Sequence, residues 1–282
     1  DYADPLEVDI NYYYDETGHG FAAGKLTRMT DASGSTSYLY NDALDRSVTL
    51  TKTIDGNSYS ITTSTDALGR TQSVQYPDST VAGYTYQDGL LKDVVYAGAT
   101  YATFSGYNAQ GQMNKVTYGN GVVTDYSYEP DSGMLWTMQV QKDTTTLLNS
   151  DYVYDNKGNI TDIFNYADAA KSQSFGYDAL DRLTSADSAL YGALTYSYDE
   201  IGNIVTKGGL LYTPDATRPH AVGSITGGRS FSYDANGNTM NDGLRTFDWN
   251  VDNKPKSVNK GGVVNSFVYD GTGQRVKKTG PA

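Results

Sequence analysis

The chain has 282 residues, a formal net charge of −12, 26 tyrosines, 30 glycines, two histidines and no cysteine. Without Cys there is no disulfide framework, thiolate metal site or thiol nucleophile. The acidic balance also argues against the broad cationic footprint that nucleic acid or an anionic membrane surface requires.

The chain opens at DYADPLEVDI, with neither an initiator Met nor a signal-peptide pattern. Hairpin phrases then follow one another to the end. YYYDETG (12–18) comes first, followed by YLYNDALDRSV, STDALGRTQSV, YTYQDGLLKDV, FSGYNAQGQMNKV and YSYEPDSGMLWTM. The best copies are YVYDNKGNIT (152–161), FGYDALDRLT (175–184), YSYDEIGNIV (196–205), FSYDANGNTM (231–240) and FVYDGTGQRV (267–276), with FDWNVDNKPKSV lying before the last. The turns recur at irregular intervals of mostly about twenty to twenty-six residues, a period that points to stacked supersecondary units. No long segment keeps apolar residues at helical spacing, and no apolar run approaches the length of a membrane span. Little or no helix is expected, and the aromatic-rich, Gly-rich composition favours strands and tight turns.

One phrase shows the expected mechanics. Tyr196 and Tyr198 lie two apart, on one face of a strand, with Ser197 on the other. Asp199 takes the first position of a type I turn, where its carboxylate accepts from backbone N–H groups two residues on. Gly202 takes the fourth, where a left-handed conformation closes a three-residue hairpin with a bulge. Each copy is then a strand, a turn and a strand, with limbs of roughly eight to ten residues. About twelve such hairpins give about twenty-four strands, a strip on the order of 115 Å at the usual strand spacing.

The YDxxGN and YDxxGR phrases, with TRPHAVGSI (217–225) and NDGLRTFDWNVDNKPKSV (241–258), resemble the YD-repeat, or Rhs, family. The similarity is to the Rhs cores of bacterial polymorphic toxins and insecticidal toxin complexes, with the teneurins of animals as more distant relatives. It implies an all-β strip of consecutive antiparallel hairpins, curved or spiralled as part of a hollow shell, often enclosing a C-terminal toxin polypeptide. In such toxins an autoproteolytic region follows the repeats. Neither that region nor a toxin domain is found here, and the closing RVKKTGPA stops just after a turn motif. The expectation is therefore that residues 1–282 form a single repeat region, a fragment of a much longer protein, able to make a wall and not a sealed container.

Asp15, Asp155, Asp178, Asp199, Asp234 and Asp270 begin the repeated turns, and DNKGN or DANGN superficially resembles half of a calcium loop. The alternating oxygen ligands and distal Glu of an EF-hand are missing, so these residues are read as turn formers. His220 in RPHAV has only His19 as an imidazole partner and is read as a structural histidine. No phosphate loop is present, and the C-terminal lysines 254, 256, 260, 277 and 278 are read as a solvated face or protected edge. No catalytic, cofactor-binding or metal-ligating residue is assigned, and no cofactor is expected.

The reading is a wall segment of a β-shell that encapsulates or scaffolds a toxin or effector polypeptide of a secreted or surface-associated bacterial protein. Its expected partners are the remaining shell segments and the enclosed polypeptide, with neither nucleic acid nor a membrane span. The alternative is a carbohydrate-binding or adhesive module, because exposed Tyr rings stack on sugars. A β-rich glycan-acting enzyme ranks below both. It needs a catalytic cluster, and a propeller needs a period of about forty residues.

Overall fold

A computed structural model describes residues 9–281; the chain's first eight residues and Ala282, on which the readings of the two ends partly rest, lie outside the described residues. Among the described residues there are 27 strands and one short 3-10 turn, Ala169–Lys171. Limbs run from two residues at Ser232–Tyr233 to ten at Thr145–Tyr154. Most are shorter than the eight to ten expected, because each turn with its flanking bulge consumes residues that the pattern reading gave to strands.

The chain forms two compact units. One is made of Tyr84–Gly227; the other combines Asp1–Gly83 with Gly228–Ala282. In the Tyr84–Gly227 unit, the strands from Leu90–Tyr96 to Val222–Ile225 each pair antiparallel with their sequence neighbour. The other unit holds a meander that starts at Asn11–Tyr14 and ends at Val81, Ala82 and Gly83, which pair with Thr71–Gln75, and a six-stranded sheet from Ser232–Tyr233 to Arg275–Thr279. Sequential antiparallel pairing is what short connections dictate, since a hairpin needs only a tight turn whereas a parallel pair needs a long crossover.

A register slip recurs beside the turns. Tyr154 faces Ile160 while Val153 faces Asp162, so Thr161 is an extra residue on the return limb. The same slip leaves out Thr184 opposite Tyr177, Val205 opposite Tyr198, Lys256 opposite Trp249 and Val276 opposite Tyr269. Such a bulge bends its strand, increases local twist and leaves backbone groups outside the ladder. The sequence pattern does not mark it: Thr and Val fill four of these five positions, but β-branched residues are equally favoured in the ladder itself.

The interior is thin. Met29, Val116 and Thr27 are the largest fully buried side chains, and the other buried apolar residues are Ala22, Ala82, Ala102, Ala186 and Ile225. Most strand residues are only half-buried, so backbone pairing and polar ties carry much of the cohesion. Every buried side-chain nitrogen or oxygen among the described residues has a hydrogen-bond partner, as the cost of burying an unpaired polar group requires.

Candidate functional site

The recurring Asp builds a closed box. At Asp155 the backbone N–H donates to Asn159 O at 2.9 Å, and the Gly158 N–H donates to Asp155 O at 3.1 Å. The carboxylate Oδ1 accepts from the N–H groups of Lys157 (2.8 Å) and Asn159 (2.9 Å), and Oδ2 accepts from Asn159 Nδ2 at 3.0 Å. Asp199 and Asp234 repeat this arrangement with Asn203 and Asn238. At Asp178 the donor to Oδ2 is Arg182 Nε, 2.7 Å away. Asn and Arg alternate four residues after Asp for this reason: both carry an N–H that reaches back to the same oxygen.

These bonds hold the carboxyls below the usual carboxylate range. At Asp155 the Asn159 side chain acts most strongly, then the Asn159 backbone N–H, against the opposing effect of burial. At Asp178 the Arg182 backbone N–H leads, and the Arg182 side chain adds to it. Each of these carboxylates accepts three hydrogen bonds from its own turn, most of its acceptor capacity. Among the described residues no cluster of three or more His, Asp or Glu side chains could hold a metal ion.

Asp15 departs from the expected turn. It adopts a left-handed φ of 57°, donates its N–H to Lys25 O at 3.2 Å, and accepts from Gly24 N at 2.5 Å. Four residues on stands His19, whose Nδ1 instead meets Tyr38 O at 2.6 Å. With no side-chain donor returning to Asp15, the connection opens into a wider loop.

In YDALDR and WNVDNK the left-handed slot of the turn is filled by Asp181 (φ 60°) and Asn253 (φ 57°) in place of Gly. Asp and Asn tolerate this conformation better than other side-chain-bearing residues. Their oxygens then receive the preceding turn. Lys157 Nζ and Asn159 Nδ2 each lie 2.9 Å from Asp181 Oδ1. Asn236 and Asn238 donate to Asn253 Oδ1 at 2.9 and 2.7 Å.

The tyrosine before Asp155, Asp178, Asp199 or Asp270 makes the second tie. Tyr177 Oη donates to Ile160 O at 2.8 Å, Tyr198 Oη to Leu183 O at 2.9 Å, and Tyr154 Oη to Leu135 O at 2.8 Å. The acceptor is the residue opposite the previous copy's tyrosine, next to the bulge. The hydroxyl therefore satisfies a carbonyl beside the place where the ladder slips. Tyr269 Oη does the same to Pro255 O at 3.0 Å, and Trp249, in the tyrosine position, uses its indole N–H on Thr239 O at 2.9 Å. The expected tyrosine ladder is thus joined by hydroxyl-to-backbone bonds.

In the unit that contains both ends of the chain, the last turn is locked to the N-terminal strands. Lys52 pairs with Asp270, whose side chain is 2% exposed, and the Gly271 N–H donates to Asp31 Oδ2 at 2.8 Å. Lys277 Nζ lies 2.5 Å from Asp55 Oδ2. A Cβ on Gly271 would sit 2.7 Å from Ile10 Cγ2 and 2.8 Å from Met29 Sδ. Asp270 is pushed up by burial, but the Lys52 ammonium and the Thr272 hydroxyl outweigh this and leave it low.

His220 is exposed and its Nδ1 lies 3.1 Å from Asn203 Oδ1; Asn203 Nδ2 also donates to Pro219 O at 2.7 Å. His220 thereby joins the RPHAV loop to the Asp199 turn. His19 and His220 fall in separate units, each with its own partners.

The model of the teneurin YD-shell family matches residues 131–280, and that of the RHS repeat matches residues 22–58. The chain belongs to the teneurin YD-shell family. Among curated proteins it is similar to toxin subunits YenC1 and YenC2 of Yersinia entomophaga. It is 27% identical to YenC1 over 62% of this chain, and 25% identical to YenC2 over 75% of it. The chain spans only 18% and 22% of those relatives' lengths. Among solved structures, a TcdB2–TccC3 crystal structure matches 97% of this chain and 17% of that one, with a TM-score of 0.78 and 18% identity. A Photorhabdus luminescens Tc holotoxin pore structure matches 96% of this chain and 17% of that one, with a TM-score of 0.77 and 19% identity. The expected all-β YD-repeat fold is therefore found, and this YD-shell chain has the fold of those segments.

Two features of this YD-shell chain escape sequence reasoning: the ties from turn to turn and the locked last turn. The first had a signal in the alternation of DxxGN with DALDR and NVDNK. The second had one in Gly271, which stands where the other good copies carry Glu, Ala or Asn.

Proposed function

We propose that the chain is a stretch of β-shell wall within a larger secreted bacterial protein, and that the shell confines a toxin or effector polypeptide. The observation that carries this reading is the tyrosine tie. The hairpins of Tyr154, Tyr177 and Tyr198 are each fastened to the previous one through a backbone carbonyl, so the sheet gains stiffness from repetition and not from a deep core. A wall that must leave an interior free for cargo needs cohesion of this kind. The family and the toxin-subunit relatives support the reading. Confinement needs no catalytic group, and none is assigned; the recurrent Asp residues serve the turns.

The test is limited proteolysis of the full-length parent protein. Its effector segment is expected to resist protease until the wall is loosened by combined Tyr154→Phe, Tyr177→Phe and Tyr198→Phe substitutions. Equal cleavage of the effector in the intact protein would remove the proposal.

A glycan-binding reading has one observation in its favour. Tyr96, Tyr101 and Tyr118 line an open groove with Thr100 and Asn120, and Tyr101 is 64% exposed. Glycan-array binding lost in Tyr101→Ala, with an unchanged melting temperature, would establish it over the wall.

A further inference from the structure

The charge of the chain inverts locally. Residues 228–282 carry eight Lys and Arg against five Asp, in a protein whose net charge is −12. Pairing register and strand alternation place most of these cations on one sheet face. Phe247 faces Val258, Val258 faces Asn265, and Phe267 faces Lys278. Side chains two apart share a face, so Lys256 and Lys260 join Val258, and Arg275 lies there opposite Tyr269. Arg245 joins them over the Phe247 ring, 5.2 Å from its centroid.

The one acid in these strands, Asp248, pairs with Ser257 on the opposite face. Arg245 is engaged by Asp242 at 2.6 Å. Lys256, Lys260 and Lys278 are exposed and form no ion pair among the described residues. Arg275 is exposed as well and lies over the Phe267 ring, 5.3 Å from its centroid.

We propose that this face is a docking surface for an acidic polypeptide segment. Its geometry favours carboxylates over stacking ligands. The Phe247 and Phe267 rings are each covered by a guanidinium, so neither offers a free platform for a nucleic-acid base or a sugar ring. What remains is an array of cations on strand spacing. Lys278 and Lys256 flank Phe267 about 10 Å apart, and Lys256 and Lys260 stand about 13 Å apart along one strand. An extended peptide presents same-side residues about 7 Å apart, so acids at alternate or every fourth position reach these cations. The attraction is that of a positive patch for a negative segment, which steers encounter and weakens with salt. The proposal does not depend on the wall reading, because it concerns a face and not confinement.

Trp249 lies on this face and reports on it once the other tryptophan is removed by Trp136→Phe. Titration of that full chain with poly-L-glutamate is expected to change Trp249 emission, with a Kd that rises steeply between low and physiological salt. The triple variant K256E/K260E/K278E is expected to weaken binding at least tenfold while keeping its far-ultraviolet circular dichroism. The single variant K278E gives an intermediate Kd if the triple variant fails to fold. An unchanged Kd in both variants, or no binding at low salt, overturns the proposal. So does tighter binding of a heparin fragment or an oligothymidylate that the same substitutions abolish, because the face would then serve another class of polyanion.

Discussion

Gly202 and Gly271 are both glycine in the repeated phrase, for unrelated reasons. Gly202 has a φ of +92° and open space where a Cβ would lie. Gly202→Val is therefore expected to cost about 1–2 kcal/mol of backbone strain, read as a lower urea midpoint. Gly271 has no room for a side chain, since a Cβ there would collide with Ile10 and the buried Met29. Gly271→Ala is expected to destabilise by about 1–3 kcal/mol through overpacking, with most of the loss felt at the Lys52–Asp270 contact. Tyr177 tests the tie. Tyr177→Phe keeps the ring but leaves the Ile160 carbonyl without its donor, which is expected to cost about 1 kcal/mol. Equal stability of Tyr177→Phe and the parent in urea would show that water replaces the hydroxyl at no cost.

At the scale of the hairpin, the Asp box makes stability depend on acid. Asp155, Asp178, Asp199 and Asp234 all have folded pKa values lowered by the donors of their turns, with the burial effect overcome. A group lowered on folding contributes stability that is present above its unfolded value of about 3.9 and is lost as pH falls through its folded value. The urea midpoint is accordingly expected to hold steady from neutral pH to about 5 and then fall as pH drops below about 4. Asp178→Asn should flatten part of that fall. A midpoint that rises on acidification would contradict the box. The same box explains why the turn survives without glycine in YDALDR, where Asp181 at φ 60° holds the left-handed slot and receives Lys157.

At the scale of the molecule, the unit built from both chain ends depends on contacts that span more than two hundred residues of sequence. Lys52 and Asp270 are 218 residues apart, and Asp31 and Gly271 are 240 apart. Lys52→Met leaves the buried Asp270 carboxylate without its cation and is expected to destabilise by about 3 kcal/mol. Hydrogen exchange should show faster exchange in Val263–Tyr269 and Arg275–Thr279 than in the strands of Tyr84–Gly227. Uniform loss of protection in both units would mean that the lock is not specific to the unit that holds it.

The features legible in the residues alone are local. YSYDEIGNIV states its strand, its Asp199 turn and its left-handed Gly202, because φ preferences and hydrogen bonds within five residues decide them. Repetition then leaves consecutive antiparallel pairing as the accessible topology, and the all-β strip of hairpins follows. Asp15 carries the right letters but lacks a returning donor at His19, so its turn opens. The bulge is invisible, because Thr161, Thr184, Val205 and Val276 are the β-branched residues that a regular strand also favours, and Lys256 opposite Trp249 is not β-branched. Which copy meets which is set in three dimensions. The coupling of Asp181 to Lys157, the reach of Tyr154, Tyr177 and Tyr198 to the previous hairpin and the lock of Gly271 on Asp31 all depend on residues brought together in space. Such contacts obey distance and shape, and the repeat period encodes neither.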